Sequence, residues 1–309
     1  MRRIKLTILL LLATAIGSVL HAQQEPQFTQ YMFNRVYTNP GFTGLSDGIC
    51  VTGMLRQQWS GFKDYEGEKV GPETFFISID APVRLLRGGL SAVVSQDQIG
   101  FTKTTVLRLG YSYIQKLGFG KLGIGAHVGF NNRVMDFSKF KPVDSNDPLL
   151  KGVTGEQNEI LIDASAGIAY VVPDQYYVGF SVNQVLGTEG QELASWSTNV
   201  DSATSQTFLY KMTLDRTFYI QGGYEIAFRN SPNFALLPSA MIKFDQAAVQ
   251  LDLAALLEFK EKFWGGLNYR LQDAVSIILG LQYKNFKVGY SYDITTSKLG
   301  LSNTAGSHE

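Results

Sequence analysis

The sequence from residue 122 to residue 131 reads LGIGAHVGFN, and this stretch decides the fold class. Apolar residues from Leu122 to Phe130 occupy every second position, and glycine, histidine or asparagine occupies each position between them and after them. Successive side chains of a β-strand point to opposite faces of the sheet. The stretch therefore predicts a strand with one apolar face and one face of small or polar residues.

The same alternation recurs along most of the chain. We identify thirteen strands, at residues 48–57, 74–81, 89–96, 104–115, 121–131, 160–171, 175–183, 217–228, 233–243, 247–259, 263–270, 274–283 and 287–293. Most of them run for about nine to twelve residues, the length that a tilted strand needs to cross a bilayer, whereas strands of soluble proteins usually have about five or six. Aromatic residues such as Tyr113, Tyr170 and Phe259 stand near strand ends, at the depth of lipid headgroups. The pattern favours an all-β, up-and-down antiparallel transmembrane β-barrel over a soluble sandwich.

The links between these strands give a second test. Long links are predicted at residues 58–73, 97–103, 132–159 and 184–216, and they alternate with short links at residues 82–88, 116–120, 172–174 and 229–232. All long links then fall on one rim, as in outer-membrane barrels with long extracellular loops and short periplasmic turns. Because bacterial single-chain barrels have an even number of strands, we expect about 14 strands. The sequence shows no alternating terminal strand before Glu309, so either residues 33–42 form an unrecognised strand or the last strand is expected to be missing.

Composition narrows the function classes. The 309 residues are 45% hydrophobic and 17% charged, which excludes intrinsic disorder. A formal net charge of zero gives no electrostatic reason to bind nucleic acid. The single cysteine, Cys50, excludes a disulfide within the chain.

The first residues predict export. Arg2 and Arg3 precede an apolar run that ends at Leu20, and Ala22 supplies a small residue for cleavage. The run of about 15 apolar residues is shorter than the roughly 20 that a spanning helix needs. We interpret residues 1–22 as a cleaved signal peptide.

Residues 23–47 do not follow the alternation. Residues 27–34 could form a short helix, and the Asn39-Pro40 pair predicts a turn. We interpret the segment as a plug inside the barrel or as a periplasmic segment, and residues 48–309 as the outer-membrane β-barrel.

Catalytic and metal sites have little support. His127 lies on a glycine-rich face, and Ser112 on the neighbouring strand is the conceivable nucleophile beside it, but a histidine hydrogen-bonded inside the lumen is the simpler interpretation. Asp144, Asp147 and Glu156 lack the alternating spacing of a calcium loop. We predict no catalytic residue, no cofactor and no metal.

Two non-enzymatic functions remain, a diffusion pore and a docking or anchor protein. Charged residues of both signs are predicted on inward faces: Arg56, Asp80, Arg108, Asp163, Glu225, Asp252, Glu258 and Arg270. They would line a water-filled channel, or they would pair across the lumen and close it. The residue pattern leaves both open.

Three motifs carry a family resemblance. Residues 27–34 read QFTQYMFN, residues 39–44 read NPGFTG and residues 56–62 read RQQWSGF. With residues 289–293 and the Gly-Ser-His-Glu ending, they resemble the PorP/SprF family, outer-membrane proteins of the type IX secretion and gliding-motility machinery of Bacteroidetes. Members of that family continue past the Gly-Ser-His-Glu ending into a final strand, so the resemblance implies that a last strand follows Glu309.

The resemblance implies a non-enzymatic docking or anchor protein in the outer membrane of a Gram-negative, Bacteroidetes-type bacterium. Expected partners are outer-membrane lipid, periplasmic and outer-membrane components of the secretion machinery, and secreted cargo or a surface adhesin. Loops 132–159 and 184–216 would be the outer contact surfaces. The matched residues that we expect to contact partners or to hold the plug are Phe28, Gln30, Tyr31, Asn34, Asn39, Pro40, Arg56, Gln58 and Trp59. A general or substrate-specific diffusion pore is the alternative.

Overall fold

The alternating segments form the wall of a closed antiparallel barrel. The computed structural model describes residues 25–64, 67–139, 155–201, 204–246, 248–297 and 304–309, with the backbone alone described for residues 191–201 and 204–212. The predicted signal peptide, residues 1–22, lies outside the described residues. The strands are β1 (Cys50–Gln57), β2 (Glu73–Val83), β3 (Gly88–Ile99), β4 (Thr102–Leu117), β5 (Gly120–Asp136), β6 (Glu156–Val172), β7 (Tyr176–Asn183), β8 (Glu189–Asp201), β9 (Thr204–Thr213), β10 (Thr217–Tyr224), β11 (Ile226–Ala227), β12 (Phe234–Phe244), β13 (Val249–Phe259), β14 (Phe263–Arg270), β15 (Ala274–Tyr283), β16 (Phe286–Thr295) and β17 (Ser307–His308).

Neighbouring strands in the chain are neighbours in the sheet. The order runs from β10 through β7 to β1, then through β17 and β16 to β11, and the pairing of β10 with β12 closes the circle. Because β11 continues β10 along β12, the wall has 14 strands. The predicted up-and-down barrel is confirmed.

The strand that closes the barrel, β17, lies between β1 and β16, and the alternation of residues did not predict it. In β17, His308 lies opposite Gln57 of β1 and opposite Tyr292 of β16. The expectation that no strand lies before Glu309 was wrong, because two residues are too few to display a period.

The outer surface of the barrel is apolar and the inner surface is mostly polar. On β15, Ile277, Leu279 and Leu281 point outward and are exposed, whereas Ser276 and Ile278 point inward and are buried. Such a band matches the lipid-facing surface of a membrane barrel. Among the described residues, no helix has the length and hydrophobicity needed to cross a membrane.

Two links differ from their predicted form. The link predicted at residues 97–103 is a tight turn around Gly100, because β3 and β4 stay paired as far as Ile99 and Thr102. The link at residues 184–216 contains the hairpin β8–β9, a separate two-stranded sheet with irregular register. Its register shifts explain why no regular alternation marks it. Most of the loop predicted at residues 132–159, namely residues 140–154, lies outside the described residues.

The N-terminal segment, residues 25–47, enters the barrel. It contains a 3₁₀ helix (Tyr31–Phe33), the helix α1 (Arg35–Thr38) and a second 3₁₀ helix (Pro40–Phe42). Of the short helix expected within residues 27–34, only the 3₁₀ turn at Tyr31–Phe33 forms. Phe28 and Tyr31, which would share one face of the expected helix, pack instead into two separate clusters on different walls of the barrel.

Candidate functional site in the barrel lumen

The glycine-rich inner face receives the N-terminal segment directly against the strand backbone. A Cβ atom on Gly125 of β5 would lie 2.2 Å from the carbonyl oxygen of Pro40. A Cβ atom on Gly167 of β6 would lie 2.1 Å from Oδ1 of Asn39. Real Cβ contacts are essentially never closer than 3.0 Å. Glycine at these positions therefore makes room for the segment, and the alternation that predicts the strand also marks the docking surface.

Asn39 joins the segment to two strands. Its Nδ2 donates to the carbonyl oxygens of Ile168 (3.1 Å) and Phe180 (3.2 Å), which lie on β6 and β7. Its Oδ1 accepts from the N–H of Gly41 at 2.8 Å. Since Asn39 is fully buried and its amide is paired on both sides, it fixes the turn before the second 3₁₀ helix.

A seam cluster ties the start and the end of the described chain to the wall. We define it as Thr29, Arg56, Asp293 and Glu309. The Arg56 guanidinium donates to Oδ2 of Asp293 at 2.7 Å and to Oε2 of Glu309 at 3.0 Å. The Glu309 carboxylate also accepts the backbone N–H of Thr29 and of Gln30 at 2.7 and 2.8 Å. Every member is buried or nearly so, so the cluster locks β1, β16 and the N-terminal segment together.

Arg270 extends the seam cluster to two more strands. This fully buried guanidinium lies 2.8 Å from Oδ1 of Asp252 on β13 and 3.8 Å from Oδ2 of Asp293 on β16. It also approaches Asp273, at 3.3 Å, in the turn that follows β14. The seam is thus bridged by charges that alternate in sign.

A second cluster holds the first described residue, Glu25. The residues around it come from β4, β6, β7, β10 and β12: Arg108, Asp163, Asn183, Tyr219 and Lys243. Arg108 donates to the Glu25 carboxylate and reaches Asp163 at 3.3 Å. Tyr219 donates to the other carboxylate oxygen at 2.9 Å, and Nζ of Lys243 donates to the Glu25 carbonyl at 2.7 Å. We call this set the Glu25 cluster.

The charges around Glu25 decide its protonation. Burial alone would raise the pKa of its carboxyl, but the Arg108 guanidinium and the Lys243 ammonium outweigh burial and hold that pKa below its usual range. The carboxylate therefore stays ionised in the lumen. A buried pair of this kind is costly to break from one side, because the remaining charge is left uncompensated.

Aromatic side chains fill the space between the charge clusters. Phe28 and Tyr37 meet edge to face at 5.4 Å, and Tyr37 meets Phe76 of β2 at 5.1 Å. Tyr31 packs in a cluster with Tyr219, and its hydroxyl forms a hydrogen bond of 3.1 Å with Oγ of Ser239. These contacts occlude the middle of the lumen.

The structure gathers most of the residues that the sequence singled out. Phe28, Gln30, Tyr31, Asn39, Pro40 and Arg56 are buried in the lumen within the contacts above. Gln58 and Trp59 lie instead at the end of β1, where the Trp59 N–H donates to Oγ of Ser307 at 3.1 Å. Asn34 is buried, but neither side-chain atom has a hydrogen-bond partner among the described residues.

Sequence reasoning missed the acids that complete both clusters. Glu25 and Glu309 stand at the two ends of the described chain, and no local pattern marks either of them. The available signal was indirect: cations such as Arg56 and Arg108 on an inward face need counter-charges. That requirement predicts an acid but does not say which one.

The histidine considered for catalysis has a different partner. Nε2 of His127 lies 3.2 Å from Oγ of Ser91, which in turn lies 3.0 Å from Oγ1 of Thr43. Ser112 instead donates to the carbonyl of Gly41 at 3.4 Å. In the described ranges, no group of three or more His, Cys, Asp and Glu residues could hold a metal ion.

The closed barrel, its apolar outer band and its filled polar lumen define an outer-membrane type of β-barrel protein. The crystal structure of the Ralstonia pickettii toluene transporter TbuX shares the fold, with a TM-score of 0.50 and 11% identity over 88% of this chain and 90% of that chain. The FrpB iron transporter from Neisseria meningitidis matches 81% of this chain and 50% of its own at 11% identity, but its TM-score of 0.34 supports no argument.

The family follows from the sequence match. A family model described as "Type IX secretion system membrane protein PorP/SprF" matches residues 20–309. The chain belongs to this family, and the resemblance in its motifs is confirmed. Among curated proteins, no match was found. Family and fold together point to a non-enzymatic membrane protein.

Proposed function

We propose that this PorP/SprF protein is a non-enzymatic docking and anchor component of type IX secretion in the outer membrane. It would serve the secretion or surface display of exported proteins and gliding adhesins. The observation that supports an anchor over a pore is the occupied lumen. A diffusion pore needs a continuous water-filled channel, whereas here the Glu25 cluster and the seam cluster join the N-terminal segment to both sides of the wall.

The proposed orientation follows from the links. Long loops of outer-membrane barrels face outward and short turns face the periplasm. The hairpin β8–β9 and the loop between β5 and β6 would then contact cargo, adhesin or outer-membrane partners, and the short turns would contact periplasmic components. In this arrangement residues 1–22 are removed as a signal peptide, residues 23–47 plug the barrel and residues 48–309 contain its wall.

The matched residues divide into two proposed roles. The buried set, exemplified by Phe28, Asn39 and Arg56, would hold the plug, since its contacts lie inside the barrel. Gln58 and Trp59 would face outer partners, because they lie on the rim that carries the long loops.

Planar-bilayer conductance tests the anchor directly. The purified full-length protein should give no steady open-channel current, and a variant lacking residues 25–45 should give one if it still forms the barrel. Heat-modifiable migration on a gel reports barrel formation for both. Steady currents of porin size from the intact protein would favour the alternative, a general or substrate-specific diffusion pore.

Affinity capture from outer membranes tests the partners. The intact protein should enrich components of the secretion machinery over a mock capture. A variant in which residues 189–213 are replaced by a short Gly-Ser link should lose the outer partners and keep the periplasmic ones. Equal recovery with the intact protein and the mock capture would contradict the docking role.

A further inference from the structure

A cavity of about 550 Å³ lies between the N-terminal segment and the short-turn ends of the strands. Residues of the segment form its inner end, and Leu237, Pro238 and Leu256 contribute an apolar wall. Asp174 and Glu225 stand at its outer end. The volume falls within the range of about 300–1,000 Å³ that is typical of ligand sites.

Asn34 presents an unused amide at the inner end of this cavity. The residue is 3% exposed, and neither Nδ2 nor Oδ1 has a hydrogen-bond partner in the described part of the chain. Its backbone N–H donates to the carbonyl oxygen of Tyr31 at 3.1 Å, so the missing hydrogen bonds are those of the side chain. Buried amides are normally paired. The NH₂ group and the carbonyl oxygen of this planar amide can donate to the C=O and accept from the N–H of a peptide bond.

Arg35, the next residue, presents a cation without a direct ion pair. The carboxylate of Asp80, which accepts the N–H of Gly44 and also lines the cavity, lies within electrostatic range of it. Its guanidinium lies 4.7 Å from the ring centre of Tyr177 and 5.3 Å from that of Phe42. These ring contacts hold the cation in place. Within the described residues it makes no ion pair, unlike the buried arginines of the seam cluster and the Glu25 cluster. A guanidinium held in this way is suited to bind a carboxylate through two parallel hydrogen bonds.

The outer end of the cavity has the opposite charge. Glu225 lies within electrostatic range of Asp174, Glu258 and Glu261. Lys287 is the nearby cation that offsets them in part. A ligand that reaches from Arg35 to this rim would therefore meet a guanidinium beside the Asp80 carboxylate at the inner end and a surplus of acids at the outer end.

We propose that this cavity binds the C-terminal end of an extended peptide. The terminal carboxylate would pair with Arg35, the last peptide bond with Asn34, an apolar last side chain with the wall, and an upstream lysine or arginine with Glu225. Capture of a terminal carboxylate is a recurrent mode of peptide recognition. The partner would be a periplasmic protein, which rests on the proposed orientation of the barrel.

Cys50 makes the test possible without an engineered probe. It is the single cysteine of the chain, is partly exposed and lines the cavity. The full-length protein in detergent would be titrated with the peptide Lys-Gly-Val-Leu, with its C-terminal amide and with Glu-Gly-Val-Leu. Binding would be measured by calorimetry and by the rate at which a maleimide alkylates Cys50.

The free-acid lysine peptide should bind and slow the alkylation. Loss of one charge-assisted hydrogen bond raises a dissociation constant by at least about tenfold, so the amide peptide should bind at least that much more weakly than the acid. Arg35→Gln should weaken the acid and abolish its advantage over the amide, and Glu225→Gln should abolish the preference for lysine over glutamate. Arg84→Gln, at an exposed cation on the same rim outside the cavity, should change neither.

Three results would overturn the proposal: equal binding of acid and amide, no binding of any peptide, or binding that leaves the alkylation of Cys50 unchanged. In any of these cases, the proposed anchor function would still stand if the protein conducts no steady current and captures secretion components. Heat-modifiable migration of each variant shows that the barrel has folded.

Discussion

Two sets of polar groups in the lumen differ in how they are paired. Toward the long-loop rim, Arg56, Arg108 and Arg270 each contact at least two carboxylates. Toward the short-turn rim, the amide of Asn34 and the guanidinium of Arg35 have no such partners in the described ranges. Paired groups fix a segment in place, whereas unpaired groups next to a cavity are available to a ligand. One N-terminal segment therefore has paired residues on both sides of two residues, Asn34 and Arg35, that are free to bind.

Among the paired groups, removing Arg108 should lower the stability of the protein most. Arg108→Ala removes the cation that contacts both the Glu25 and the Asp163 carboxylates, and removing one partner of a buried ion pair costs about 3–5 kcal/mol. Chemical unfolding of the protein in detergent micelles should show that loss of free energy. Arg87→Ala, at an exposed cation on the short-turn rim, should change the free energy of unfolding by less than about 0.5 kcal/mol. Equal effects of the two variants would mean that the Glu25 cluster contributes nothing to stability.

Filling the glycine face should separate the segment from the wall. Gly125→Val places atoms where the carbonyl of Pro40 now lies, and overpacking of this kind costs about 1–3 kcal/mol. Proteolysis of the folded protein should then cut within residues 25–47, which are protected in the parent. Gly53→Val is the matched control, because a Cβ atom there meets only the carbonyl of Phe76 at 3.8 Å. Similar protection in the two glycine variants would exclude the docking role of the glycine face.

Acid should loosen the first residues of the N-terminal segment, around Glu25, before the rest of the barrel. The pKa of Glu25 lies below its usual value of 4.5, so the carboxylate stabilises the fold above that pH, and its contribution is lost as pH falls through the lowered value. The hydrogen-exchange protection factors of the first described residues, corrected for the slower intrinsic exchange in acid, should therefore fall below about pH 4.5 while the central strands stay protected. Glu25→Gln should remove this dependence. A parent and a variant with the same pH profile would assign the loosening to another group.

Much of the wall could be predicted from the sequence, because each strand carries its own signal. The alternation from Leu122 to Phe130 arises from a lipid face and a lumen face, and each residue reports its face independently. The hairpin β8–β9 breaks this rule through its register shifts, and β17 is too short to follow it. Strands were predictable wherever successive side chains alternate between the lipid-facing and the lumen-facing surface.

The lumen could be predicted only in part, since its contacts join residues far apart in the chain. Glu309 meets Thr29, and Glu25 meets Arg108 and Lys243, and no local pattern encodes such pairs. The family motifs pointed to most of the right residues without their partners. Asn34 and Asn39 belong to adjoining motifs and look alike in sequence, yet only the structure shows that one amide is paired and the other is not.

These two asparagines give the finest test of the comparison. Asn39→Leu would leave the carbonyls of Ile168 and Phe180 without their donor and should lower the free energy of unfolding by about 1–3 kcal/mol. Asn34→Leu removes a buried amide that has no partner to lose, so it should be neutral or stabilising by up to about 1 kcal/mol. Chemical unfolding of both variants, read beside the parent, measures the difference. A clear loss of stability in Asn34→Leu would show that this amide already has a structural partner, and the contrast between paired and unpaired groups would then fail at its central residue.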